Sequence, residues 1–508
     1  MARSLFRMLH GLYETRRTGS ELFELATPRR QQLYNDRLLP GALDANALAA
    51  CEALPRYRVA IVGGGFAGLA AAWYLRQCGV GVTVFEATDR LGGRVRTDRD
   101  FVAGKYVEAG AELIGTNHPL WIELAATFGL QLIEITPEEW YERAGQKVRL
   151  RFGDRDLDDA EKKQLEKDLE PVLEAIGEDA RNVDRERPWL SPNADALDRM
   201  SVAQRLDQLL GAASSTARYA LEFTLGNDNC APVGRQSYLG LLALVSAGRV
   251  TENGVDNMLG YWEYTETHRC WNGNQQLAAK LAEQLTDIRY NSPVERIIVN
   301  EETGIGLAVG GAAPLEEAFD YAVLAAPPTS WPTVESSYEW VPADWTMSHG
   351  PAVKHLNAFD TPFWVPQGLA PSALWDRLGS VWEGTDGQPS ATPGYDLSVY
   401  SGGDYVLPES EYSARLAMLY PGYAPIATRF VDWPNTPYVW TGYSVPAPGQ
   451  VCSVGRSLAT PYASRMYFAG EQSCVGFFGY MEGALQSGAR AARDILAQIC
   501  PDAVGISV

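Results

Sequence analysis

Cysteine is scarce in this chain, with seven residues among 508. No two cysteines form a Cys-x-x-Cys pair, so the spacing of a structural zinc site is missing and no metal is expected. Their odd number and scatter predict reduced thiols in a cytoplasmic protein rather than a disulfide framework. The cysteines are Cys51, Cys78, Cys230, Cys270, Cys452, Cys474 and Cys500.

Long apolar runs and an excess of positive charge are also missing. No segment approaches the roughly 18 apolar residues that a membrane span needs, so no membrane partner is expected. Acidic residues outnumber basic ones by 63 to 43, which gives a net charge of −20 and argues against nucleic acid as a partner. The five histidines form no clear catalytic dyad, and His118 is interpreted as a structural loop residue.

The N-terminal arm, residues 1–55, contains an Arg16-Arg17 pair. Gly19, Ser20 and Glu21 follow it instead of an apolar stretch, so an export signal is not expected. The arm is expected to pack on the surface or across a contact between subunits of a homo-oligomer.

A glycine-rich loop follows the first strongly apolar run. Residues 59–62 predict a buried strand, and a helix should run from the loop to about Gln77. In the loop, Gly63 permits a tight turn, Gly65 lets the backbone approach a pyrophosphate, and Gly68 lets the helix pack on the strand. The helix N-terminus then offers free N–H groups to phosphates. A second strand ends at Glu86, where a carboxylate can accept from ribose hydroxyls, so the unit predicts a dinucleotide site.

Similar strands recur far along the chain, at 321–326 and 466–470, with helical and Trp-rich segments between. We therefore predict an α/β protein: a Rossmann-like nucleotide-binding domain built from discontinuous segments, with an inserted α+β substrate domain that has a helical part. The predicted boundaries are 1–55 for the arm; 56–115, 261–330 and 451–508 for the nucleotide-binding domain; and 116–260 and 331–450 for the substrate domain.

The residues after the second strand resemble a motif of the flavin-dependent amine oxidase family. The chain reads Glu86-Ala87-Thr88-Asp89-Arg90-Leu91-Gly92-Gly93-Arg94. Further family-like blocks are Glu108–Glu112 and 467–484, so the resemblance spans about residues 58 to 495. It implies FAD as the cofactor. The residues that it implies around FAD, besides the glycine loop and Glu86, are Arg94 at the phosphates, Gly110, Ala111, Glu112, Val294, Glu471 at the ribityl chain, and Met481.

The resemblance also implies three residues at the reacting end of the flavin. Lys354, in the segment Gly350–His355, matches a lysine that holds a water against flavin N5. Tyr443 and Tyr480 match two tyrosines that flank the substrate amine. Some family members attach FAD through a cysteine just before the first tyrosine, and Gly442 stands there in this chain, which implies non-covalent FAD.

The reaction that the resemblance implies is hydride removal from an amine carbon, with dioxygen reoxidising the flavin. The long helical segment and the Trp-rich second half resemble bacterial L-amino acid oxidases, which implies an enzyme that yields a 2-oxo acid, ammonia and hydrogen peroxide. Several such enzymes clamp the substrate carboxylate with an arginine at a position that Leu113 occupies here, which leaves Arg235 and Arg269 as candidate clamps.

Three alternatives stay open at this point. Without a clamp, the chain fits a monoamine or polyamine oxidase, with Glu112 as a possible partner of the substrate cation. An amino-acid 2-monooxygenase that gives an amide is another member of the same chemical class. A non-catalytic FAD-binding scaffold is the third, and the presence of Lys354, Tyr443 and Tyr480 argues against it.

Overall fold

The fold is taken from a computed structural model of the chain. It describes residues 5–10, 39, 42–211, 215–252, 255–257, 260–311, 315–336, 347–389 and 393–504. Most of the N-terminal arm lies outside the described residues. Within it, the short helix Leu5–His10 packs its fully buried Leu5 into the helical core of the protein.

A five-stranded parallel sheet lies at one end of the fold. Its strands come from distant parts of the chain, as the recurrence of strand patterns predicted. In spatial order they are Ile288–Arg289, Gly81–Phe85, Arg58–Val62, Tyr321–Leu324 and Met466–Phe468. The predicted α/β class and the assembly from discontinuous segments are confirmed, whereas the residue boundaries of the domains stay a prediction.

Helices and a second sheet cover the two faces of this parallel sheet. The helix Phe66–Gln77 follows the glycine loop and packs against the long C-terminal helix Met481–Ile499. Their apolar side chains share a core with Val59 and Ile61 of the central strand. The opposite side of that strand packs on the four-stranded sheet Val294–Asn300, Gly304–Val309, Leu315–Phe319 and Glu335–Ser336. Since both faces are covered, the central strand is apolar and buried from Val59 to Val62.

A seven-stranded mixed sheet forms the floor of the other half of the molecule. In spatial order its strands are Ala427–Asp432, Ala352–Phe359, Tyr395–Gly402, Gly379–Glu383, Leu369–Trp375, Lys147–Phe152 and Arg155–Asp156. Every residue of Ala352–Phe359 is buried, because this strand is flanked on both sides and covered on both faces. That burial places Lys354, which lies in this strand, inside the protein.

Helices make up the region between residues 159 and 264. They are Asp159–Ala180, Ala194–Arg199, Val202–Leu210, Thr216–Asp228, Tyr238–Gly248 and Gly260–Tyr264. A break at 229–237 separates Thr216–Asp228 from Tyr238–Gly248. The remaining helices are Ala45–Ala50, Pro119–Phe128, Glu138–Arg143, Gln276–Ala282, Glu409–Leu419 and Arg456–Leu458.

Short strand pairs connect these parts. They are Thr97–Asp98 with Val107–Glu108, Leu132–Glu134 with His268–Cys270, Val250–Glu252 with Val255–Asn257, and His349–Gly350 with Tyr443–Ser444. Among the described residues, no helix is long and apolar enough to cross a membrane, and no cluster of metal-binding side chains occurs.

The expectation of fully reduced cysteines is wrong for one pair. Cys51 and Cys500 form a disulfide although 449 positions separate them. The segment before Cys51 lies beside the chain's C-terminal turn, where the Asp44 amide donates to the Ala503 carbonyl at 2.9 Å. Spacing along the chain could not show this proximity, because it arises from folding. The other five cysteines are free thiols. The cytoplasmic location stays a prediction, and it no longer has support from the cysteines.

Candidate active site

A cavity of about 590 Å³ runs from the glycine loop to the mixed sheet. This size lies within the usual range of cofactor and ligand sites. The first strand, the glycine loop, the strand of Lys354 and the start of the C-terminal helix all contribute to its wall. Of the sequence-predicted cofactor and catalytic residues, the lining includes Gly63, Gly65, Glu86, Arg94, Gly110, Ala111, Val294, Lys354, Tyr443, Glu471, Tyr480 and Met481. The fold thus gathers residues that are up to about 400 positions apart.

The glycine loop has the geometry that a phosphate cradle needs. Gly63 has a φ of +109°, and a Cβ there would lie 3.2 Å from the backbone of Ala325. A Cβ at Gly68 would lie 2.0 Å from the Gly63 carbonyl oxygen, so helix and strand can touch only because the side chain is missing. Gly65 caps the helix, and a Cβ there would come no closer than 3.9 Å to another segment, at the Gly93 Cα. The first N–H groups of this helix are therefore accessible to a phosphate.

Glu86 lies at the cavity wall and also holds the loop in place. One carboxylate oxygen accepts from the Gly64 amide at 2.8 Å, and the other accepts from the backbone and hydroxyl of Thr88 at 2.9 and 2.7 Å. The second strand therefore sets the position of the glycine loop through this side chain. The placement fits the predicted role at a ribose.

Arg94 and Glu471 meet in the middle of the cavity. The Arg94 guanidinium donates to the Glu471 carboxylate at 2.8 Å and to the Gly442 carbonyl at 3.0 Å. Glu471 also accepts from the Gly479 amide at 2.7 Å. This ion pair ties the loop after the second strand to the segment before the C-terminal helix. The N-terminus of that helix, at Met481, points its N–H groups towards the same cavity.

Lys354 lies at the cavity wall within a buried ion network. Its ammonium donates to the Glu112 carboxylate at 2.7 Å and to the Glu108 carbonyl at 2.8 Å. The other oxygen of Glu112 accepts from the Trp382 indole at 3.0 Å and lies 3.3 Å from the Arg269 guanidinium. Burial alone would raise the pKa of Glu112, but the two cations hold that pKa below its usual value. Glu112 therefore stays ionised inside the protein.

Tyr443 and Tyr480 both line the end of the cavity near Lys354. The Tyr443 hydroxyl donates to the backbone carbonyl of Asp228. The Tyr480 hydroxyl lies 3.2 Å from that of Tyr261. Burial, the Tyr261 hydroxyl and the carboxyl groups of Glu266 and Asp228 raise the pKa of Tyr480 well above its usual value. Tyr480 therefore stays protonated and presents a neutral aromatic ring to the cavity.

Neither candidate clamp for a substrate carboxylate is available in this arrangement. Arg269 is 1% exposed and is committed to Glu112 and to the carbonyls of Glu383 and Gly384. Arg235 has a side chain that is 70% exposed, where it pairs with Asp404 at 3.5 Å. Leu113 is buried and apolar.

His118 has the structural role that the sequence suggested. Its Nδ1 accepts from the Gly115 amide at 2.9 Å, and its ring packs against Phe477 and Tyr480. Burial lowers its pKa to about 3, so the ring is neutral at ordinary pH.

Three aromatic residues of the site are absent from the sequence prediction. Trp433 lines the cavity and donates to the Ala109 carbonyl at 3.2 Å. The Tyr400 hydroxyl forms a hydrogen bond with the Tyr443 hydroxyl, and the Trp382 indole donates a hydrogen bond to the Glu112 carboxylate. Tyr400 and Trp382 lie in the mixed sheet, where Lys354 pairs with Tyr400 on one side and Val431 on the other, and Trp433 follows the strand of Val431. That register is not visible in a single sequence.

Several buried carboxyl groups surround the ion network. Burial raises the pKa of both Glu108 and Asp396 to about 7. Burial and the neighbouring Asp386 likewise raise the pKa of Glu383. These groups can change protonation near neutral pH, so the charge beneath Lys354 depends on pH.

Comparison with known proteins agrees with this site. The family model described as flavin-containing amine oxidoreductase matches residues 66–496. This chain therefore belongs to the flavin-containing amine oxidase family, and FAD is its cofactor. The glycine cradle, the open helix N-terminus and the Arg94–Glu471 pair fit that cofactor.

Named relatives are amine oxidases. The chain is 25% identical over 461 residues to a flavin-containing amine oxidase of Oncorhynchus mykiss, covering 87% of this chain and 86% of the relative. It is 29% identical over 462 residues to a putative flavin-containing monoamine oxidase of Mycobacterium tuberculosis, and the match covers 86% of this chain and 96% of the relative. These matches support an enzyme that acts on amines and leave L-amino acid specificity without support.

Solved structures show the same fold. A putrescine oxidase bound to putrescine superposes with a TM-score of 0.72 at 23% identity, covering 87% of this chain and 99% of that one. Cyclohexylamine oxidase from Brevibacterium oxydans superposes with a TM-score of 0.72 at 24% identity, again covering 87% of this chain and 99% of that one.

Proposed function

We propose that this protein oxidises an amine that carries no carboxylate group and passes the electrons to dioxygen. FAD, when bound, supplies the electron acceptor for this chemistry. The observation that carries the proposal is that the two buried cations of the site, Lys354 and Arg269, are already paired with Glu112.

Asp228 and Glu266 are also buried in this region. Burial and the charge of Glu266 raise the pKa of Asp228 well above its usual value, so Asp228 keeps its proton. Lys354 and Arg269 share Glu112, so neither cation is free to pair with a substrate carboxylate. An amine without a carboxylate needs no such partner.

The protein's own residues bind and orient the amine. The rings of Tyr443 and Tyr480 offer aromatic faces to a cationic or neutral amine. Their buried hydroxyls are held by Asp228 and Tyr261, so the rings keep fixed positions. Lys354 is proposed to hold a water at the cavity wall and to favour electron transfer to dioxygen through its positive charge.

The test is to mix the FAD-loaded protein with amines and with L-amino acids without oxygen, following flavin absorbance. We expect bleaching by amines, including diamines, and none by the L-amino acids from which those amines derive. Bleaching by L-amino acids alone would overturn the substrate class and restore the sequence prediction. No bleaching with any compound would favour the non-catalytic scaffold.

Products separate the oxidase from the monooxygenase alternative. With air present, we expect hydrogen peroxide and an aldehyde or ketone in equal amounts. An amide without peroxide would contradict the oxidase. Lys354→Met should keep FAD bound and slow reoxidation by dioxygen; unchanged reoxidation would remove the proposed role of this residue.

A further inference from the structure

Glu112 is the centre of the buried network behind the cavity wall, although it does not line the cavity itself. It accepts from Lys354 through one carboxylate oxygen and from Trp382 through the other, and it lies between Lys354 and Arg269. The side chains of Glu112 and Arg269 are each 1% exposed. A carboxylate so fully enclosed has no freedom to follow a moving lysine.

Glu112 and its three partners come from four separate segments of the fold. Glu112 follows the strand Val107–Glu108, Arg269 lies in His268–Cys270, Lys354 in Ala352–Phe359 and Trp382 in Gly379–Glu383. Arg269 is itself anchored, since its guanidinium donates to the carbonyls of Glu383 and Gly384. Two sheets therefore determine where the Glu112 carboxylate lies, and Glu112 in turn determines where the ammonium of Lys354 lies.

We propose that Glu112 is the positioning residue for Lys354, and that Arg269 and Trp382 hold Glu112 in place. This inference rests on the proposed function, because it assigns a cause to the position of the proposed Lys354 ammonium. Lysine is a flexible side chain with a compact charge, so its head group needs external constraints to keep one geometry. Glu112 supplies the constraint at 2.7 Å, and the Glu108 carbonyl supplies a second at 2.8 Å.

Arg269 gives the network of Lys354, Glu112 and Arg269 a net positive charge. Lys354 and Arg269 contribute two positive charges and Glu112 one negative charge. Removing the carboxylate would leave two cations facing each other in a buried site, which is costly and drives the lysine out of position. Removing Glu112 and Arg269 together takes away one charge of each sign and leaves the lysine without its constraint.

The experiment compares Glu112→Gln with the charge-balanced double variant Glu112→Gln/Arg269→Met and with Lys354→Met. Glu161→Gln is the matched control, because it breaks an exposed ion pair with Arg155 at the surface. Each FAD-loaded protein is measured for its affinity for sulfite, which reports positive charge near the oxidised flavin, and for the rate of reoxidation by dioxygen. The rate of anaerobic reduction by an amine is measured alongside.

We expect the double variant to lose about tenfold in sulfite affinity and in reoxidation rate, since moving one close positive charge away shifts such equilibria by an order of magnitude. Glu112→Gln alone should lose less sulfite affinity, because the unpaired Arg269 adds positive charge. Reduction by the amine should change less, which separates positioning from general damage. Glu112→Asp keeps the charge and should recover part of the loss. Glu161→Gln should match the parent protein.

The inference is overturned if the double variant keeps parental sulfite affinity and reoxidation while Lys354→Met loses both. If Lys354→Met also matches the parent, the role of the lysine in the proposed function is wrong and the inference falls with it. The double variant keeps the test decisive even if Glu112→Gln alone does not fold.

Discussion

The Arg94 guanidinium donates to the Glu471 carboxylate at 2.8 Å, joining residues that are 377 positions apart. The pair connects the loop after the second strand with the segment before the C-terminal helix. Both residues line the cavity, so the ion pair joins two distant segments of its wall.

Arg94→Met should weaken FAD binding. The substitution removes two hydrogen bonds from a charged donor and leaves Glu471 without its cation. Bonds of this kind contribute about 1.5–3 kcal/mol, so the dissociation constant should rise roughly 10- to 100-fold. Titration of apoprotein with FAD, followed by flavin fluorescence, measures the effect. Arg155→Met at the surface is the control, and equal affinity in the two variants would contradict the role of Arg94.

Gly442→Cys should not create a covalent flavin. A Cβ at Gly442 would lie 2.5 Å from the Ala352 side chain and 2.6 Å from its amide nitrogen, so the cysteine is forced out of place. Overpacking of this kind costs about 1–3 kcal/mol, and the melting temperature should fall. Ala352→Gly in the same protein should recover part of the loss. Flavin that stays with the protein after acid precipitation would disprove the expectation.

Tyr480 should act through its ring more than through its hydroxyl. Tyr480→Phe loses one neutral hydrogen bond to Tyr261 and should keep most of the activity. Tyr480→Leu removes the aromatic face, and kcat/KM for an amine should fall by about tenfold or more. Both variants should bind FAD normally. Steady-state kinetics with an amine that bleaches the flavin provides the comparison. Equal losses of kcat/KM in Tyr480→Phe and Tyr480→Leu would refute the prediction that the ring matters more than the hydroxyl.

Asp396 should make the protein less stable as pH rises. Burial raises the pKa of Asp396 to about 7 in the folded state, whereas an unfolded aspartate titrates near 4. Between these values the folded protein holds a proton that the unfolded chain has lost, so stability falls as pH increases. In Asp396→Asn, the loss of folding stability between pH 5 and about pH 7.5 should be smaller than in the parent protein. The melting temperature of the holoenzyme, followed across this pH range, measures the effect, and the surface variant Asp154→Asn is the control. If the melting temperatures of Asp396→Asn and the parent protein change with pH in parallel, the raised pKa of Asp396 is contradicted.

The disulfide between Cys51 and Cys500 should stabilise the folded protein. It closes a loop of 449 positions, and loop closure of the unfolded chain typically contributes about 2–4 kcal/mol. Cys51→Ser should lower the melting temperature, and dithiothreitol should lower it in the parent protein but not in the variant. Cys78→Ser, which removes a free thiol, is the control. A parent protein that is insensitive to reductant would show that the bond does not contribute.

The sequence by itself determined the cofactor-binding half of this protein. Gly63, Gly65 and Gly68 are needed at a turn, a close approach and a helix–strand contact, and each requirement depends on residues nearby in sequence. The apolar strands and the amphipathic C-terminal helix follow from local periodicity in the same way. Arg94, Glu471 and Tyr480 were found because they stand in short motifs.

Only the tertiary structure decided what the remaining polar residues do. The sequence made Glu112 a candidate for contact with FAD or with the substrate cation, and folding buries it between Lys354 and Arg269. Arg269 was a candidate clamp, and its burial beside Glu112 commits it elsewhere. The Cys51–Cys500 bond, Trp433 and Tyr400 depend on contacts across hundreds of positions or on the register of the mixed sheet. Such contacts leave no local pattern, because the partners meet only when separate segments pack.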